Sequence, residues 1–198
     1  MYFCIGLLCF LDVRYVEKPV FEACKRNDTG GDSQELLQVG ARIAVDGWRS
    51  LKLLLLKLGY HRLWSHRAYN ASFALQLFLL AGGTSAVQGS CYWWARAHRS
   101  HHRHTDTDLD PYNSSRGFLW SHIGWMIFRS KFHPGPSDVS DLSHDQLIQW
   151  QHRHYLVLLV IFGLALPIAI AGLLFDDWMG GICFAGALRL TIAHHVCL

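Results

Sequence analysis

Two groups of histidines are the residues of this chain best suited to chemistry. The first group reads HRLWSH and contains His61 and His66, and the second reads HRSHH and contains His98, His101 and His102. Neutral imidazole is the commonest protein ligand for redox-active first-row metals. In the second group, the spacing i, i+3, i+4 places all three rings on one stripe of an α-helix. The pattern predicts a metal site built from imidazoles.

The first group is harder to place on an α-helix. At about 100° per residue, rings at positions i and i+5 of such a helix diverge by about 140°. His61 and His66 are therefore expected either to sit at a frayed helix end or to bind different metal ions. Soluble di-iron bundles use Glu and Glu-x-x-His ligands, and no such pattern occurs in this sequence. The sequence therefore does not match the ligand pattern of those soluble bundles.

The remaining histidines and a run of aspartates have plainer interpretations. Hydrogen-bonded structural roles are expected for His104, His122, His152 and His154. His194 and His195 lie in an apolar run, where an ionisable group raises the suspicion of a function. The string TDTDLDP contains Asp106, Asp108 and Asp110 but lacks the Gly and Glu of an EF-hand loop. It predicts a solvated turn that orients the adjacent histidine helix.

The composition indicates a membrane setting for these histidines. The 198 residues are 51% hydrophobic and include eight Trp, and the mean hydropathy is +0.14, which is unusual for a soluble domain of this size. The net charge of +3 comes from scattered Lys and Arg, so nucleic-acid binding has no support. The six cysteines form no CxxC pair and are expected to be buried thiols in a reducing compartment.

One segment, residues 155–175, is predicted to cross the membrane as a helix. It carries no charge and is long enough to span about 30 Å of hydrocarbon. Basic residues precede it and two aspartates follow it, so its N-terminal end is expected in the cytosol. A second apolar stretch returns from Gly180. Residues 155–198 thus predict a transmembrane hairpin, which looks cut short at Leu198.

The uncharged stretch at 71–94 is expected to stay on the cytosolic side. A straight helix of that length would extend about 36 Å and hold His66 and His98 on opposite faces of the bilayer. The two groups could not then share a metal. Gly82 and Gly83 are expected to break the stretch, so that it folds back or lies in the interface. Residues 59–154 are therefore read as a cytosolic histidine-box region.

The first part of the chain, residues 1–58, carries weaker signals. Its initial apolar run lacks a basic region and a cleavage site, and it is too short to span a membrane. Residues 17–46 are polar and read as loop, and residues 51–58 are helical in pattern but also too short to cross. This part is expected to be a divergent segment with at most a weak anchor.

Four strings of this sequence carry a resemblance to a known family. They are GYHRLWSHRAYNAS, WWARAHRSHHRHTDTDLDPYNSSRG, WSHIGWM and WQHRHY. They lie within the stretch from Gly59 to Tyr155, about half of the chain. This stretch resembles the membrane acyl-CoA delta-9 desaturases, or stearoyl-CoA desaturases, particularly the fungal members. The likeness implies an all-α membrane protein with transmembrane helices in the endoplasmic reticulum. A cytosolic helical cap would hold two irons.

The resemblance also implies roles for individual residues and partners. In the family, the histidines that match His61, His66, His98, His101 and His102 are iron ligands. The implied reaction inserts a cis double bond into a saturated fatty acyl-CoA with electrons from cytochrome b5. An unactivated C–H bond cannot be recognised by acid–base chemistry. The acyl chain of the substrate must therefore be positioned by an apolar tunnel in the protein. Gln88 and Trp94 are candidates for its wall, and Arg96 matches a position near the CoA head group.

The sequence departs from the family pattern in ways that leave alternatives open. The family has a third histidine box, and the sequence up to Leu198 contains no counterpart of it. With an incomplete ligand set, the polypeptide alone is expected to have little or no desaturase activity. One alternative is a catalytically dead, membrane-bound relative or fragment. Another is a related di-iron membrane fatty acid hydroxylase, which shares the ligands and the oxygen chemistry.

Overall fold

The computed structural model describes residues 54–128, 135–176 and 178–183, and every regular element in these ranges is helical. The helices are α1 (Lys57–Ser65), α2 (Phe73–Ser85), α3 (Cys91–His104), α4 (Trp120–Gly124, continued by Trp125–Ile127), α5 (Ser140–His144), α6 (Gln146–Arg153), α7 (Tyr155–Leu158, Leu159–Ala165 and Leu166–Phe175 in succession) and α8 (Trp178–Gly180). A short 3₁₀ turn, Ser114–Arg116, lies between α3 and α4. The expectations for residues 1–53 and for His194 and His195 fall outside the described residues.

The long α7 is the one described helix that is long and apolar enough to cross a membrane, over Tyr155–Leu174. Apolar side chains near both of its ends are exposed by 61% to 74%, namely Leu156, Val157, Leu173 and Leu174. Such exposure suits lipid better than water. The all-α membrane class predicted from the sequence is confirmed in the described residues.

The stretch at 71–94 is interrupted, but not where the sequence analysis placed the break. Helix α2 continues through Gly82 and Gly83, and the chain leaves the helix at 86–90. Val87 and Gly89 have positive φ values of 60° and 89° in this turn. The hydroxyl of Ser90 then caps α3 by accepting a hydrogen bond from the backbone N–H of Trp93 at 3.2 Å. The break is thus set by turn geometry and a cap.

The two glycines instead let α2 approach α1 closely. A Cβ on Gly83 would lie 2.4 Å from the ring of Tyr60, and one on Gly82 would lie 2.3 Å from the Leu55 side chain. Because those contacts are impossible, only glycine permits this helix spacing. The prediction of a helix break failed because the conformational cost of a helical glycine is about 1 kcal/mol, which close packing can offset.

Replacing Gly83 with alanine is expected to destabilise the protein. Overpacking against Tyr60 costs about 1–3 kcal/mol, while better helix propensity returns at most about 1 kcal/mol. The midpoint of thermal unfolding in detergent, followed by near-UV circular dichroism, should fall. The control is Gly163→Ala in α7, where the nearest atom to a new Cβ is a Val87 methyl carbon at 3.3 Å, about 0.9 Å farther than at Gly83. An unchanged or raised midpoint for Gly83→Ala would contradict this packing.

A buried amide joins the helices around the core. Gln151 of α6 is fully buried. Its Nε2 donates to the Tyr60 hydroxyl and to Thr84 Oγ1, both at 3.0 Å, and its Oε1 accepts from the backbone N–H of Cys91 at 3.1 Å. These partners belong to α1, α2 and α3. One side chain therefore connects the helix that precedes the membrane span to both histidine-bearing helices.

Candidate metal centre

Helix α3 brings His98 and His102 onto one face. The two residues are separated by one α-helical turn, and their Nε2 atoms lie 3.0 Å apart. The α-helical spacing used in the sequence analysis accounts for this pair. The indole of Trp94, one turn earlier, stacks on the His98 ring with centroids 4.7 Å apart and an interplanar angle of 17°. Trp94 thereby forms a wall beside these imidazoles.

His61 and His66 also meet, because α1 is a π-helix. The backbone N–H of His66 donates to the carbonyl of His61 at 3.0 Å, which is the i+5 to i bond of a π-turn. In that geometry residues five apart face the same way, and the two Nε2 atoms lie 3.2 Å apart. His66 is the C-cap residue of α1. Of the two sequence expectations, a position at a helix end holds for His66 alone, because His61 lies in the middle of α1.

The two pairs converge into one group of four imidazoles. Nε2 of His66 lies 3.1 Å from Nε2 of His98, which links α1 to α3. One ligand atom from each of His61, His66, His98 and His102 lies within 4.8 Å of the others. A tetrahedral ion with metal–nitrogen bonds of about 2.0–2.1 Å would hold its ligand atoms roughly 3.3 Å apart. The nitrogen separations of 3.0–3.2 Å between successive rings are close to this value, and the four residues together could hold a metal ion.

The electrostatics of the group favour neutral rings. Burial, followed by the neighbouring imidazoles of His102 and His61, lowers the pKa of His98 to about 3. Burial is also the main cause of a lowered pKa at His61 and His102, and in both cases His66 is the next cause. A neutral imidazole keeps a lone pair for a metal, whereas a protonated ring has none. The rings of His61, His98 and His102 are thus held in their ligand form.

His101 lies outside the four-imidazole group. Its ring centroid is 6.5 Å from that of His98, and its Nδ1 is 2.9 Å from Oδ1 of the buried Asp110. Asp110 also accepts hydrogen bonds from the backbone N–H groups of Asp106 and Tyr112, each at 2.9 Å. The aspartate-rich string is therefore a hydrogen-bonded turn that holds a histidine of α3. A metal-binding role for His101 stays a prediction.

The other sequence candidates are more scattered. Gln88 is half-buried in the turn between α2 and α3. Arg96 is exposed on α3. It precedes His98 by two residues, which corresponds to a rotation of about 200° around the helix axis, so the two residues lie on nearly opposite faces of α3. His152 meets the hydroxyl of Ser90 through Nδ1 at 2.6 Å, and Nδ1 of His154 meets the carbonyl of Trp150 at 2.9 Å. Those two contacts are structural, as expected.

Arg99 lies inside the second histidine box and was not predicted as a site residue. Its guanidinium reaches the carbonyls of Trp64 and Ser65 at the end of α1, at 2.6 and 3.0 Å. The only sign of this contact in the sequence is an arginine between clustered histidines. An arginine on an exposed helix face would give the same sequence pattern. The contact depends on which helix packs beside α3, so it is visible in the structure alone.

Comparison with known proteins places these residues in a family. No protein-family model matches the chain. A protein named probable acyl-CoA desaturase from Schizosaccharomyces pombe is 50% identical over 138 residues, which is 69% of this chain and 29% of that protein. Acyl-CoA desaturase 1 of Saccharomyces cerevisiae is 44% identical over 139 residues, covering 68% of this chain and 26% of the yeast protein.

Animal relatives show the same likeness at lower identity. Stearoyl-CoA desaturase 2 of Mus musculus is 39% identical over 141 residues, covering 68% of this chain and 39% of the mouse protein. The chain therefore spans about a quarter to two fifths of the length of these relatives. On identities of 39% to 50% over more than two thirds of its residues, this chain belongs to the acyl-CoA desaturase family.

Proposed function

We propose that this chain provides part of an iron centre that desaturates saturated fatty acyl-CoA at the delta-9 position. The observation that carries the proposal is the convergence of His61, His66, His98 and His102 to nitrogen separations of 3.0–3.2 Å between successive rings. Imidazole nitrogen is a suitable donor for iron. The relatives named above are acyl-CoA and stearoyl-CoA desaturases, which supports this substrate class and reaction.

The four-imidazole group accounts for one iron of the proposed pair. His101 is the next imidazole on α3, and the hydrogen bond from its Nδ1 to Asp110 would leave Nε2 as the donor atom for a second ion. Further ligands for that ion would come from outside the residues described. Bound iron would supply the oxygen activation that removal of hydrogen from an unactivated methylene requires.

The protein itself would supply position. The acyl chain must present two adjacent methylenes to the centre, and apolar walls can do this by shape. Trp94 is suited to such a wall, because it stacks on His98 and its centroid lies 6.2 Å from that of His61. Gln88 is proposed to line the same channel. The exposed Arg96 would bind phosphates of the CoA head group through its planar fork of donors.

The proposed location is the endoplasmic reticulum membrane, in a multi-pass protein. Helix α7 would cross the bilayer, and the basic residues at its start would keep the histidine region in the cytosol. Two of the four ligand rings are exposed, His66 and His102. That exposure on the cytosolic side would allow an electron donor such as cytochrome b5 to approach. Lipid would surround the apolar surface of α7.

A chimera tests the proposed activity. The region of Saccharomyces cerevisiae acyl-CoA desaturase 1 that aligns with this chain would be replaced by the matching residues of this chain. In yeast lacking its own desaturase, the chimera is expected to restore growth without oleate, and residues 1–198 alone are expected not to. Cellular oleate and palmitoleate are the measurement. A stable, membrane-inserted chimera that makes neither fatty acid would contradict the proposal.

A further inference from the structure

The guanidinium of Arg99 uses every hydrogen-bond donor it has. A guanidinium carries five N–H groups. Nε donates to the carbonyl of Ser65 at 3.0 Å, and Nη2 donates to the carbonyl of Trp64 at 2.6 Å. Nη1 donates to the carbonyl of Asp138 at 2.8 Å, and the two Nη atoms share the Asp141 carboxylate at 2.7 and 2.8 Å. No donor is left over for a substrate or a solvent ion.

Two of these acceptors lie at the end of the helix that carries the first histidine box. Trp64 and Ser65 are the last residues of α1, and the next residue is His66. Carbonyls at a helix C-terminus lack partners within the helix, and a cation there also complements the helix dipole. Arg99, on α3, supplies both the hydrogen-bond donors for these carbonyls and the positive charge. It therefore fastens the end of α1 to the helix that carries His98 and His102.

The chain on the other side of His66 is held by the same carboxylate. Arg67 donates through Nε to Asp141 at 2.7 Å, and its Nη2 lies 2.6 Å from the same oxygen. Arg67 has a positive φ of 52°, so the backbone turns sharply there. Asp141, on α5, thus forms ion pairs with Arg99 of α3 and with Arg67, the residue after His66. The position of His66 is fixed from both directions.

We propose that Arg99 is a positioning residue of the metal centre, which holds the α1 terminus where Nε2 of His66 stands 3.1 Å from Nε2 of His98. The inference rests on the proposed metal site. Arg99 acts through the carbonyls of Trp64 and Ser65 and does not touch the metal. Its planar fork matters more than its charge, because lysine offers a single ammonium that cannot reach five separate acceptors.

The test is Co²⁺ binding to the 198-residue chain in detergent, followed by the visible absorption of the bound ion. Arg99→Lys keeps the charge and is expected to weaken Co²⁺ binding by about 10–100-fold, as the loss of outer-shell partners does. The absorption bands of any bound Co²⁺ should change as well. The matched control is Arg103→Lys on the same helix, where the arginine is exposed. That variant should bind as the wild type does.

A second variant separates positioning from general support of the fold. Arg99→Ala should lose binding in the same way, and millimolar methylguanidinium should restore the absorption bands while methylammonium should not. Unchanged affinity and bands in Arg99→Lys would overturn the inference. So would a loss in Arg99→Ala that methylguanidinium leaves unrepaired, or that comes with loss of the cooperative thermal transition. Failure of the wild-type chain to bind Co²⁺ would instead refute the metal site itself.

Discussion

Replacing His98 with alanine is expected to weaken binding of Fe²⁺ or Co²⁺ by more than about 100-fold, because loss of a ligand exceeds the 10–100-fold cost of losing an outer-shell partner. His98 is the middle of the cluster: its Nε2 lies 3.1 Å from that of His66 and 3.0 Å from that of His102. Without it, three imidazoles remain for the ion, since the His66 and His102 rings still lie 4.9 Å apart between centroids. Calorimetric titration of the detergent-solubilised chain measures the effect.

The matched control for this substitution is His144→Ala. His144 is exposed on α5, and its Nδ1 meets the carbonyl of Ser140 at 2.6 Å in the same short helix. Its removal should leave metal affinity unchanged. In the yeast chimera, His98→Ala should abolish growth without oleate, and His144→Ala should not. Metal affinity that survives in His98→Ala would mean that the ion is bound elsewhere.

Replacing Gln151 with leucine is expected to lower the free energy of unfolding by about 2–4 kcal/mol, because buried groups left without a hydrogen bond cost about 1–3 kcal/mol each. The backbone N–H of Cys91 would lose its acceptor, and the Tyr60 hydroxyl would lose one of its two partners, keeping Thr84 Oγ1 at 3.3 Å. Thr84 loses less, since its hydroxyl also donates to the Leu80 carbonyl at 2.7 Å. The loss is large because Gln151 is fully buried.

Chemical denaturation in mixed micelles, followed by tryptophan fluorescence, measures this loss. The control is Gln146→Leu, at the exposed start of the same helix, which should change stability by less than about 0.5 kcal/mol. Because Tyr60 adjoins His61, Gln151→Leu should also weaken Co²⁺ binding, which Gln146→Leu should not. Equal stability of the two variants would show that the buried amide network contributes little.

Part of the site was predictable because it obeys simple helical geometry. His98 and His102 stand one α-helical turn apart, so their convergence follows from the sequence once α3 is recognised as a helix. The interruption of 71–94 followed from a different argument, namely that both histidine groups must reach one place. The position of the interruption could not be predicted. Gly82 and Gly83 have the low helix propensity of helix breakers, but in the structure they allow close packing against Leu55 and Tyr60.

The rest of the site depends on local geometry that sequence patterns do not encode. The π-helical form of α1 brings His61 and His66 together at a spacing that an α-helix would separate. His101 shares the stripe of His98 by sequence, yet Asp110 draws its Nδ1 into the following turn. The hydrogen bond to this buried carboxylate, six residues beyond the end of α3, outweighs the helical pattern. The separation of His101 from the four-imidazole group therefore comes from the turn that follows α3.

The central claim is that four imidazoles from two helices bind one ion, and X-ray absorption of the Fe²⁺-loaded chain tests it most directly. The claim predicts a shell of nitrogens at about 2.1 Å, with outer scattering from about four imidazole rings that is lost or reduced in His98→Ala. A first shell of oxygens with at most one imidazole, or a spectrum that His98→Ala leaves unchanged, would contradict it.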